Sequence, residues 1–492
     1  NLLRCCPTVS TRSGLSVPRP LDSGVLSALA TGDQTKGPHG NPFILGVGTA
    51  VPKYTLKPDA TAERMIRFYG DKLTEQDARR LRRIAKTAGI DQRHCVFPEE
   101  RWEQYIEQLQ GTTEIIDFEL RNQMYKEHAV PLAMKAATRA IERWGGKKEE
   151  ITHVLGITCT GTIVPGFEFH LIQAMGLPLT TQRLSISLMG CFGGCSGLKA
   201  ASAIAAQSPR HRVLVVCCEL CSLQTPTQQV DTDKLVAGMI FGDGSGAIVV
   251  GTGVRANETP LYEFLRSSSS VIPDTLHMMG WDLSSDGWQV TLSPEITRKL
   301  GETICAFADN LTESTLQRRV PYADMIWPLH PGGMAIVETI EVTCKLDSQV
   351  HTRSTREVLR RVGNMSSGTV YFVLEDIAAR KTDKEIAMMA SFGPGLTTEG
   401  NLLRCCPTVS TRSGLSVPRP LDSGVLSALA TGDQTKGPHG NPFILGVGTA
   451  VPKYTLKPDA TAERMIRFYG DKLTEQDARR LRRIAKTAGI DQ

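Results

Sequence analysis

Three residues with catalytic potential follow apolar runs and are flanked by glycine. The first, Cys191, lies in Met-Gly-Cys-Phe-Gly-Gly, between a strand-like run at 184–188 and an Ala-rich, helix-like run at 198–206. The thiol is therefore predicted at a sharp strand-to-helix turn. Orphan N–H groups at a helix N-terminus favour an anion, which predicts a lowered thiol pKa and a nucleophilic thiolate. The alternative is a small buried apolar cysteine, the commoner role of a single Cys.

The other two residues are His330 and Asn364. His330 ends the apolar run 325–329 and precedes Pro-Gly-Gly, and Asn364 directly follows Gly363. A nucleophilic thiol needs a base or an ion-pair partner, and His is the natural one. A neutral Asn amide can donate a hydrogen bond to an oxyanion or an enolate. Each residue taken singly is more often structural, and hydrolases and acyltransferases share all three groups. The residues alone therefore leave the reaction open.

Alternating strand and helix patterns surround these residues and indicate α/β layers. The predicted strands include 43–48, 152–158, 212–220 and 388–392, and the predicted helices include 75–87, 127–144, 294–311 and 355–362. The Gly-rich run 242–246 is predicted to be a tight turn before a strand at 247–250. It lacks the spacing of a dinucleotide-binding loop. The Ser-rich stretch 265–288 is predicted to be an irregular surface segment.

Composition excludes several classes of function. The net charge is +5 with 22% charged residues and no long basic run, so a nucleic-acid partner is not expected. The sequence contains no stretch of 18 apolar residues, so no membrane span is predicted. The first residues do not resemble a signal peptide. The 13 cysteines cluster in apolar runs such as 213–221, which favours free thiols in a reducing compartment, the cytoplasm. Zinc is disfavoured at Cys217 and Cys218, because neighbours on a strand point to opposite faces.

The chain contains an internal copy. Residues 401–492 repeat residues 1–92 without a change, which indicates a recent duplication or an artefactual, redundant copy. The predicted organisation is a flexible arm at 1–40, a half with the cysteine at 41–265 and a half with His330 and Asn364 at 266–406. The copy at 401–492 is not expected to form a domain of its own.

Five motifs in the same order resemble the type III polyketide synthases, the chalcone-synthase-like group of the thiolase superfamily. They are GCFGG (190–194), FGDGSGAIVVG (241–251), HPGG (330–333), GNMSSG (363–368) and SFGPGLTTE (391–399). The resemblance extends from about residue 43 to about residue 404. It implies a five-layered αβαβα thiolase fold of two pseudo-repeated halves and a homodimer. Val164, before Pro-Gly, matches the residue that crosses the dimer interface in the family.

The resemblance also implies the chemistry. Cys191 would carry the acyl group, with His330 and Asn364 completing the triad. The substrates would be an acyl-CoA and malonyl-CoA, with no metal, flavin or carrier domain required. Three basic residues on one face of the helix at 75–87 match the family's site for the CoA phosphates: Arg79, Arg82 and Lys86.

The same resemblance predicts the residues of the substrate cavity. They are Phe241 as the gatekeeper aromatic, together with Cys159, Cys221, Gln224, Val290, Ser366, Phe392, Gly393 and Pro394. Cys221 and Gln224 replace threonines of chalcone-forming members, and Val290 replaces a second Phe. The run 279–282 looks more like microbial and fungal members that accept aliphatic chains. A smaller, more apolar wall predicts a fatty acyl starter and an alkylpyrone or alkylresorcinol product.

Three alternatives stay open. A ketoacyl synthase of the fatty-acid-initiating type also uses Cys, His and Asn, but would take malonyl from a carrier protein. The GNMSSG and GPGLTTE motifs argue against it. A thiol hydrolase would release free acid without malonyl-CoA. A non-catalytic acyl-CoA-binding homologue is disfavoured because Cys191, His330 and Asn364 are all present.

Overall fold

A computed structural model describes residues 39–98, 100, 118–224, 230–284, 287–406, 458–470 and 473–487. Contacts divide the chain into two compact units, residues 1–431 and 432–492. The predicted arm at 1–40 lies almost entirely outside the described residues. No helix of the described residues is long and apolar enough to cross a membrane.

The strands of the first unit have the following bounds: β1 Phe43–Ala50, β2 Tyr54–Leu56, β3 Arg93–Cys95, β4 His153–Thr158, β5 Gln182–Ser187, β6 Arg212–Leu220, β7 Asp243–Gly251, β8 Tyr262–Val271, β9 Met279–Ser284, β10 Gly287–Leu292, β11 Met325–Ile326, β12 Ile386–Gly393 and β13 Thr397–Cys405. Its helices are α1 Pro58–Tyr69, α2 Glu75–Thr87, α3 Phe118–Trp144, α4 Phe167–Met175, α5 Gly193–Ala205, α6 Thr232–Ile240, α7 Ile296–Leu316, α8 Met334–Cys344, α9 Arg353–Val362 and α10 Thr369–Arg380. The second unit contains α11 Pro458–Tyr469 and α12 Glu475–Thr487.

Nine strands form one mixed sheet in the order β11-β12-β13-β8-β1-β7-β6-β4-β5. The two halves of this sheet meet where β1 pairs with β8, and only Phe43 and Ile44 of β1 take part in that pairing. β4 runs parallel to β5 and β6, and β11 runs parallel to β12, whereas the strands between them pair antiparallel. Short pairing at the centre therefore separates two sub-sheets, one from each half of the first unit.

The buried residues show how helices cover the two sub-sheets. α3 and α4 pack on the outer face of the first sub-sheet, and α7 and α8 pack on the outer face of the second. One core cluster joins both sub-sheets through α5 and α10, which lie between them. The order is helix, sheet, helix, sheet, helix, which confirms the predicted five-layered thiolase fold.

Most predicted elements are confirmed, and two are wrong. The run predicted to be a tight turn belongs to β7 from Asp243 onward, because the glycines there allow close packing: a Cβ on Gly246 would lie 2.9 Å from the Gly368 carbonyl oxygen. The segment predicted to be irregular, 265–288, contains most of β8, all of β9 and the first two residues of β10. Antiparallel pairing with β13 determines β8, and sequence pattern does not report such long-range pairing.

The beginning of the internal copy belongs to the main sheet. Residues 401–405 form the second part of β13, which pairs with both β8 and β12. Further along the copy, α11 and α12 have the same sequences as α1 and α2. The Thr474 and Asp477 side chains repeat the N-terminal cap made by Thr74 and Asp77 in α2. These helix ends are therefore determined by local sequence.

The cysteines differ in part from the prediction. Cys305 of α7 and Cys344 of α8 form a disulfide, so the expectation of free thiols is wrong for this pair. Eight other cysteines among the described residues have free thiols: Cys159, Cys191, Cys195, Cys217, Cys218, Cys221, Cys405 and Cys406. The described residues contain no group of three or more His, Cys, Asp or Glu side chains that could hold a metal ion. Cys217 and Cys218 therefore belong to no such group.

Candidate active site

Cys191 lies in a single 3₁₀ turn, Gly190–Phe192, between the end of β5 and the start of α5. Gly190 has φ 62°, a left-handed conformation that glycine adopts without strain. A Cβ on Gly194 would lie 2.4 Å from the Ser367 carbonyl oxygen, so only glycine lets α5 approach so closely. The Cys191 side chain is 4% exposed. The predicted strand-to-helix turn at the cysteine is confirmed.

His330 is held by its backbone. Leu329 bridges Ala390 of β12, and the His330 N–H donates to the Ala390 carbonyl at 2.8 Å. The side chain is 1% exposed, and neither ring nitrogen has a hydrogen-bond partner among the described residues. Buried polar groups without partners are rare and mark functional positions. Both ring nitrogens are therefore positioned for proton transfer or for binding.

Asn364 joins the segments of the site. Its backbone pairs with Phe241, and its N–H donates to the Ile240 carbonyl at 3.0 Å. Its Oδ1 accepts from the Ser366 N–H at 2.8 Å, and its Nδ2 donates to the Gly332 carbonyl at 3.1 Å. These two bonds fix the orientation of the amide, with its N–H groups toward the turn that follows His330. The side chains of Ser366 and Asn364 both act on the Cys191 thiol, since each of them lowers its pKa.

The lowered pKa predicted for Cys191 is wrong. Burial raises the pKa of the thiol to about 12, although the hydrogen bonds to Ser366 and Asn364 act in the opposite direction. Burial lowers the pKa of His330 to about 3. A helix N-terminus alone does not offset the loss of hydration. Both shifts favour the neutral thiol and the neutral imidazole at pH 7.

A pH profile of alkylation tests this neutral pair. With the thiol pKa raised and the imidazole pKa lowered, neither group titrates between about pH 5 and 9. Iodoacetamide should alkylate Cys191 at a rate that rises about tenfold per pH unit up to pH 9, because the thiolate fraction does so. The Cys191 peptide can be followed by mass spectrometry. A rate that levels off below pH 7 would instead indicate a thiolate–imidazolium ion pair.

Sequence reasoning missed a buried carboxyl group behind the site. Glu219 of β6 is 0% exposed and accepts hydrogen bonds from Ser367 Oγ at 2.5 Å, Thr160 Oγ1 at 2.8 Å and the Cys159 N–H at 3.0 Å. Burial raises the pKa of this carboxyl, and its hydrogen bonds oppose the shift. The signal for it was one acidic residue in an otherwise apolar strand. Glu219 ties Cys159 to Ser367, one residue from Ser366.

A cavity lies beside Cys191. Six of the predicted substrate-binding residues line it: Cys159, Cys221, Gln224, Phe241, Val290 and Ser366. Four residues that the sequence did not single out complete the lining: Thr160, Lys234, Ala237 and Trp281. Cys191, Cys221, Ala237, Phe241 and Val290 form one buried cluster. The wall on that side is apolar, whereas Lys234, Gln224 and Ser366 bring polar groups to the same cavity.

The gatekeeper candidate, Phe241, is fixed by neighbours. Arg93 donates to the Phe241 carbonyl at 2.6 Å and to the Gly238 carbonyl at 2.8 Å. The Phe241 ring lies edge-on to Trp281, with 6.0 Å between the ring centroids. Such an aromatic pair is a rigid apolar part of the wall.

Three predicted cavity residues lie elsewhere. Phe392 belongs to the core between the second sub-sheet and α7. A Cβ on Gly393 would meet the Phe192 ring at 2.4 Å, and Pro394 packs against Gly190. Gly393 and Pro394, at the end of β12, therefore pack against the Cys191 turn, and none of the three residues lines the cavity.

The three basic residues predicted to bind CoA lie on the exposed part of α2. Arg82 forms a bidentate pair with Glu63, with distances of 2.7 and 3.0 Å, and Arg79 pairs with Glu75 at 3.2 Å. Exposed pairs of this kind add little stability, so a phosphate can compete for these cations. Lys86, on the same face, is exposed.

Fold and site define a thiolase-fold protein with a buried cysteine beside a cavity. The family model "Chalcone and stilbene synthases, N-terminal domain" matches residues 30–254, and the corresponding C-terminal model matches residues 263–407. The chain belongs to this family, the type III polyketide synthases, which are enzymes.

Relatives and solved structures agree. Type III polyketide synthase 10 of Oryza sativa subsp. japonica is 31% identical over 379 residues, which are 74% of this chain and 92% of that protein. Probable polyketide synthase 1 of Dictyostelium discoideum is 35% identical over 369 residues, 74% of this chain but only 11% of that protein's length. The crystal structure of the C-terminal type III polyketide synthase domain of Steely1, from Dictyostelium, aligns with a TM-score of 0.70 at 34% identity, covering 75% of this chain and 100% of that domain.

Proposed function

We propose that this enzyme joins an acyl-CoA starter to malonyl-CoA units by decarboxylative Claisen condensation. The observation that supports this best is the position of the Asn364 side chain, which lowers the pKa of the Cys191 thiol and donates to the Gly332 carbonyl in the turn that follows His330. An amide and an imidazole beside a thiol suit both an acyl-enzyme and an enolate.

Loading is the first step. The Cys191 sulfur attacks the carbonyl of the acyl-CoA while the imidazole of His330 takes the thiol proton. The tetrahedral intermediate expels CoA as a thiolate, which receives that proton from His330. The products are the Cys191 thioester and free CoA, and His330 is neutral again. General-base transfer of this kind suits two groups that are both neutral at rest.

Extension is the second step. Malonyl-CoA loses CO₂, and an Asn364 N–H donates to the enolate oxygen that forms. The enolate carbon attacks the Cys191 thioester, a C–C bond forms and the C–S bond to Cys191 breaks. The chain leaves on CoA, longer by two carbons, and the released Cys191 thiolate takes a proton from water. The Phe241–Trp281 pair keeps water from protonating the enolate.

The starter is proposed to be aliphatic and the product an alkylpyrone or alkylresorcinol. The apolar residues Ala237, Phe241, Trp281 and Val290 support this, since they form one side of the cavity. A panel of acyl-CoAs from acetyl to stearoyl, plus coumaroyl, with malonyl-CoA and mass spectrometry of the products tests it. Products that peak at one aliphatic length are expected. A preference for coumaroyl-CoA would contradict the proposal.

The CoA phosphates are proposed to bind Arg79, Arg82 and Lys86. Arg82→Ala should raise KM for acyl-CoA about tenfold, because one charge-assisted hydrogen bond is lost. KM for an N-acetylcysteamine thioester, which has no phosphates, should not change. Steady-state kinetics with both substrates measures this.

The internal copy offers a matched control. Arg482 pairs with Glu463 just as Arg82 pairs with Glu63, in a helix of identical sequence. Arg482→Ala should leave KM for acyl-CoA unchanged. Equal effects of the two variants, or no effect of Arg82→Ala, would contradict a CoA site on α2.

The enzyme is proposed to work as a homodimer through the β5 edge of the sheet. β5 is the last strand of the sheet, and five of its six residues are exposed. Val164 is 94% exposed, and Leu188, next to β5, is 66% exposed. An open strand edge with apolar side chains suits pairing with a second copy. Light scattering that gives the mass of a single 53.6 kDa chain would contradict the dimer.

A further inference from the structure

One helix face contributes a cation to the cavity wall. Lys234, Ala237 and Phe241 lie at positions i, i+3 and i+7 along α6 and the residue after it, so they share one face. All three line the cavity. Their exposed fractions are 4%, 2% and 8%, which makes Lys234 as buried as its apolar neighbours.

Burying a lysine is costly unless its charge is compensated. Asp231 supplies the compensation: its Oδ2 lies 2.8 Å from Lys234 Nζ, and the Asp231 side chain is 49% exposed. Its Oδ1 accepts from the Lys234 N–H at 2.9 Å, which caps α6. The ion pair therefore places its anion toward solvent and its ammonium group beside the cavity.

The cavity has a second polar group near this face. Gln224 donates from Nε2 to the Thr160 carbonyl at 2.7 Å, and its Oε1 is buried without a partner among the described residues. An alkyl chain would use only the apolar residues of the wall. A β-keto chain has a carbonyl oxygen on every second carbon, and its enol form has a hydroxyl group. It can accept from Lys234 and donate to Gln224.

We propose that Lys234 binds carbonyl oxygens of the growing β-keto chain and thereby sets how many extensions occur. The inference rests on the proposed function. Because Asp231 already neutralises the ammonium charge, the pair suits neutral carbonyl acceptors better than a second carboxylate. The chain is held by N–H donors on α6 while its apolar tail packs on Ala237 and Val290.

The test compares product distributions from hexanoyl-CoA and malonyl-CoA. In Lys234→Met, products of two or more extensions should fall about tenfold relative to the single-extension product, since a charge-assisted hydrogen bond is lost. Hexanoyl loading on Cys191, measured by intact mass, should be unchanged. Lys234→Gln keeps an amide donor and should recover part of the longer products. It also serves as the test variant if Lys234→Met does not fold.

The control is Lys299→Met, which removes a lysine that pairs with Glu302 on α7 and does not line the cavity. It should retain the wild-type distribution. An unchanged distribution in both Lys234 variants, or the same change in Lys299→Met, would overturn the inference. The same reactions are run with adipoyl-CoA as the starter. If the Lys234 variants lost longer products only with this starter, the inference would also be overturned, because Lys234 would then bind the terminal carboxylate of the adipoyl chain. If the wild type makes no polyketide, the proposed function fails instead.

Discussion

Replacing Cys191 by serine should abolish polyketide formation, by about 10³-fold or more. The hydroxyl of serine is a far weaker acid than a thiol, and this buried site already disfavours ionisation even of the thiol. No acyl-enzyme should appear in the intact mass after incubation with an acyl-CoA. Product formation can be followed by chromatography with mass detection, and melting curves check that the variant folds.

Cys195 provides the matched control for this variant. It lies four residues further along the chain, in α5, is 0% exposed and donates to Ser391 Oγ at 3.2 Å. Cys195→Ser should therefore keep most of the activity and the acyl-enzyme signal. If Cys191→Ser still extended acyl chains, the nucleophile would have to be another residue.

Replacing Asn364 by aspartate should impair decarboxylation about 10²- to 10³-fold. The new carboxylate can still accept from the Ser366 N–H, but it loses the donor that faces the Gly332 carbonyl. It also places a negative charge where the enolate oxygen would form. Acetyl-CoA released from malonyl-CoA without a starter measures this step directly.

Acyl loading on Cys191 shows whether the Asn364→Asp variant loses decarboxylation alone or the first step of the reaction as well. Transfer from hexanoyl-CoA to Cys191 needs a nucleophile and a base, so it should be reduced less than decarboxylation. Unimpaired acetyl-CoA release by Asn364→Asp would remove Asn364 from the enolate site. Asn364→Gln, which keeps the amide, distinguishes loss of the donor from loss of fit.

The residues of the site were predictable because their positions carry local signals. Cys191 and Asn364 each adjoin glycine, and His330 precedes Pro-Gly-Gly; the structure joins two of these segments through the bond from Asn364 to the Gly332 carbonyl. The arrangement of layers was predictable from alternating patterns and from the order of the motifs.

What sequence could not supply is burial and long-range pairing. The thiol pKa was predicted to fall from a helix N-terminus alone, whereas desolvation of Cys191 dominates. The serine-rich run that became β8 is a strand only because β13 pairs with it. Lys234 carried no signal in the sequence, and only the packing of α6 against the cavity shows that it is buried there. Glu219 is the opposite case, because it was detectable in the sequence as the one carboxylate in a largely apolar strand.

The most direct test is condensation by the purified chain with hexanoyl-CoA and ¹³C-labelled malonyl-CoA, without any carrier protein. The proposed mechanism predicts products whose mass equals the starter plus labelled two-carbon units, together with a hexanoyl group on the Cys191 peptide. Free hexanoic acid without labelled product would indicate a thiol hydrolase. Labelled product only after a malonylated carrier protein is added would indicate a ketoacyl synthase, and either result would contradict a type III polyketide synthase reaction at Cys191.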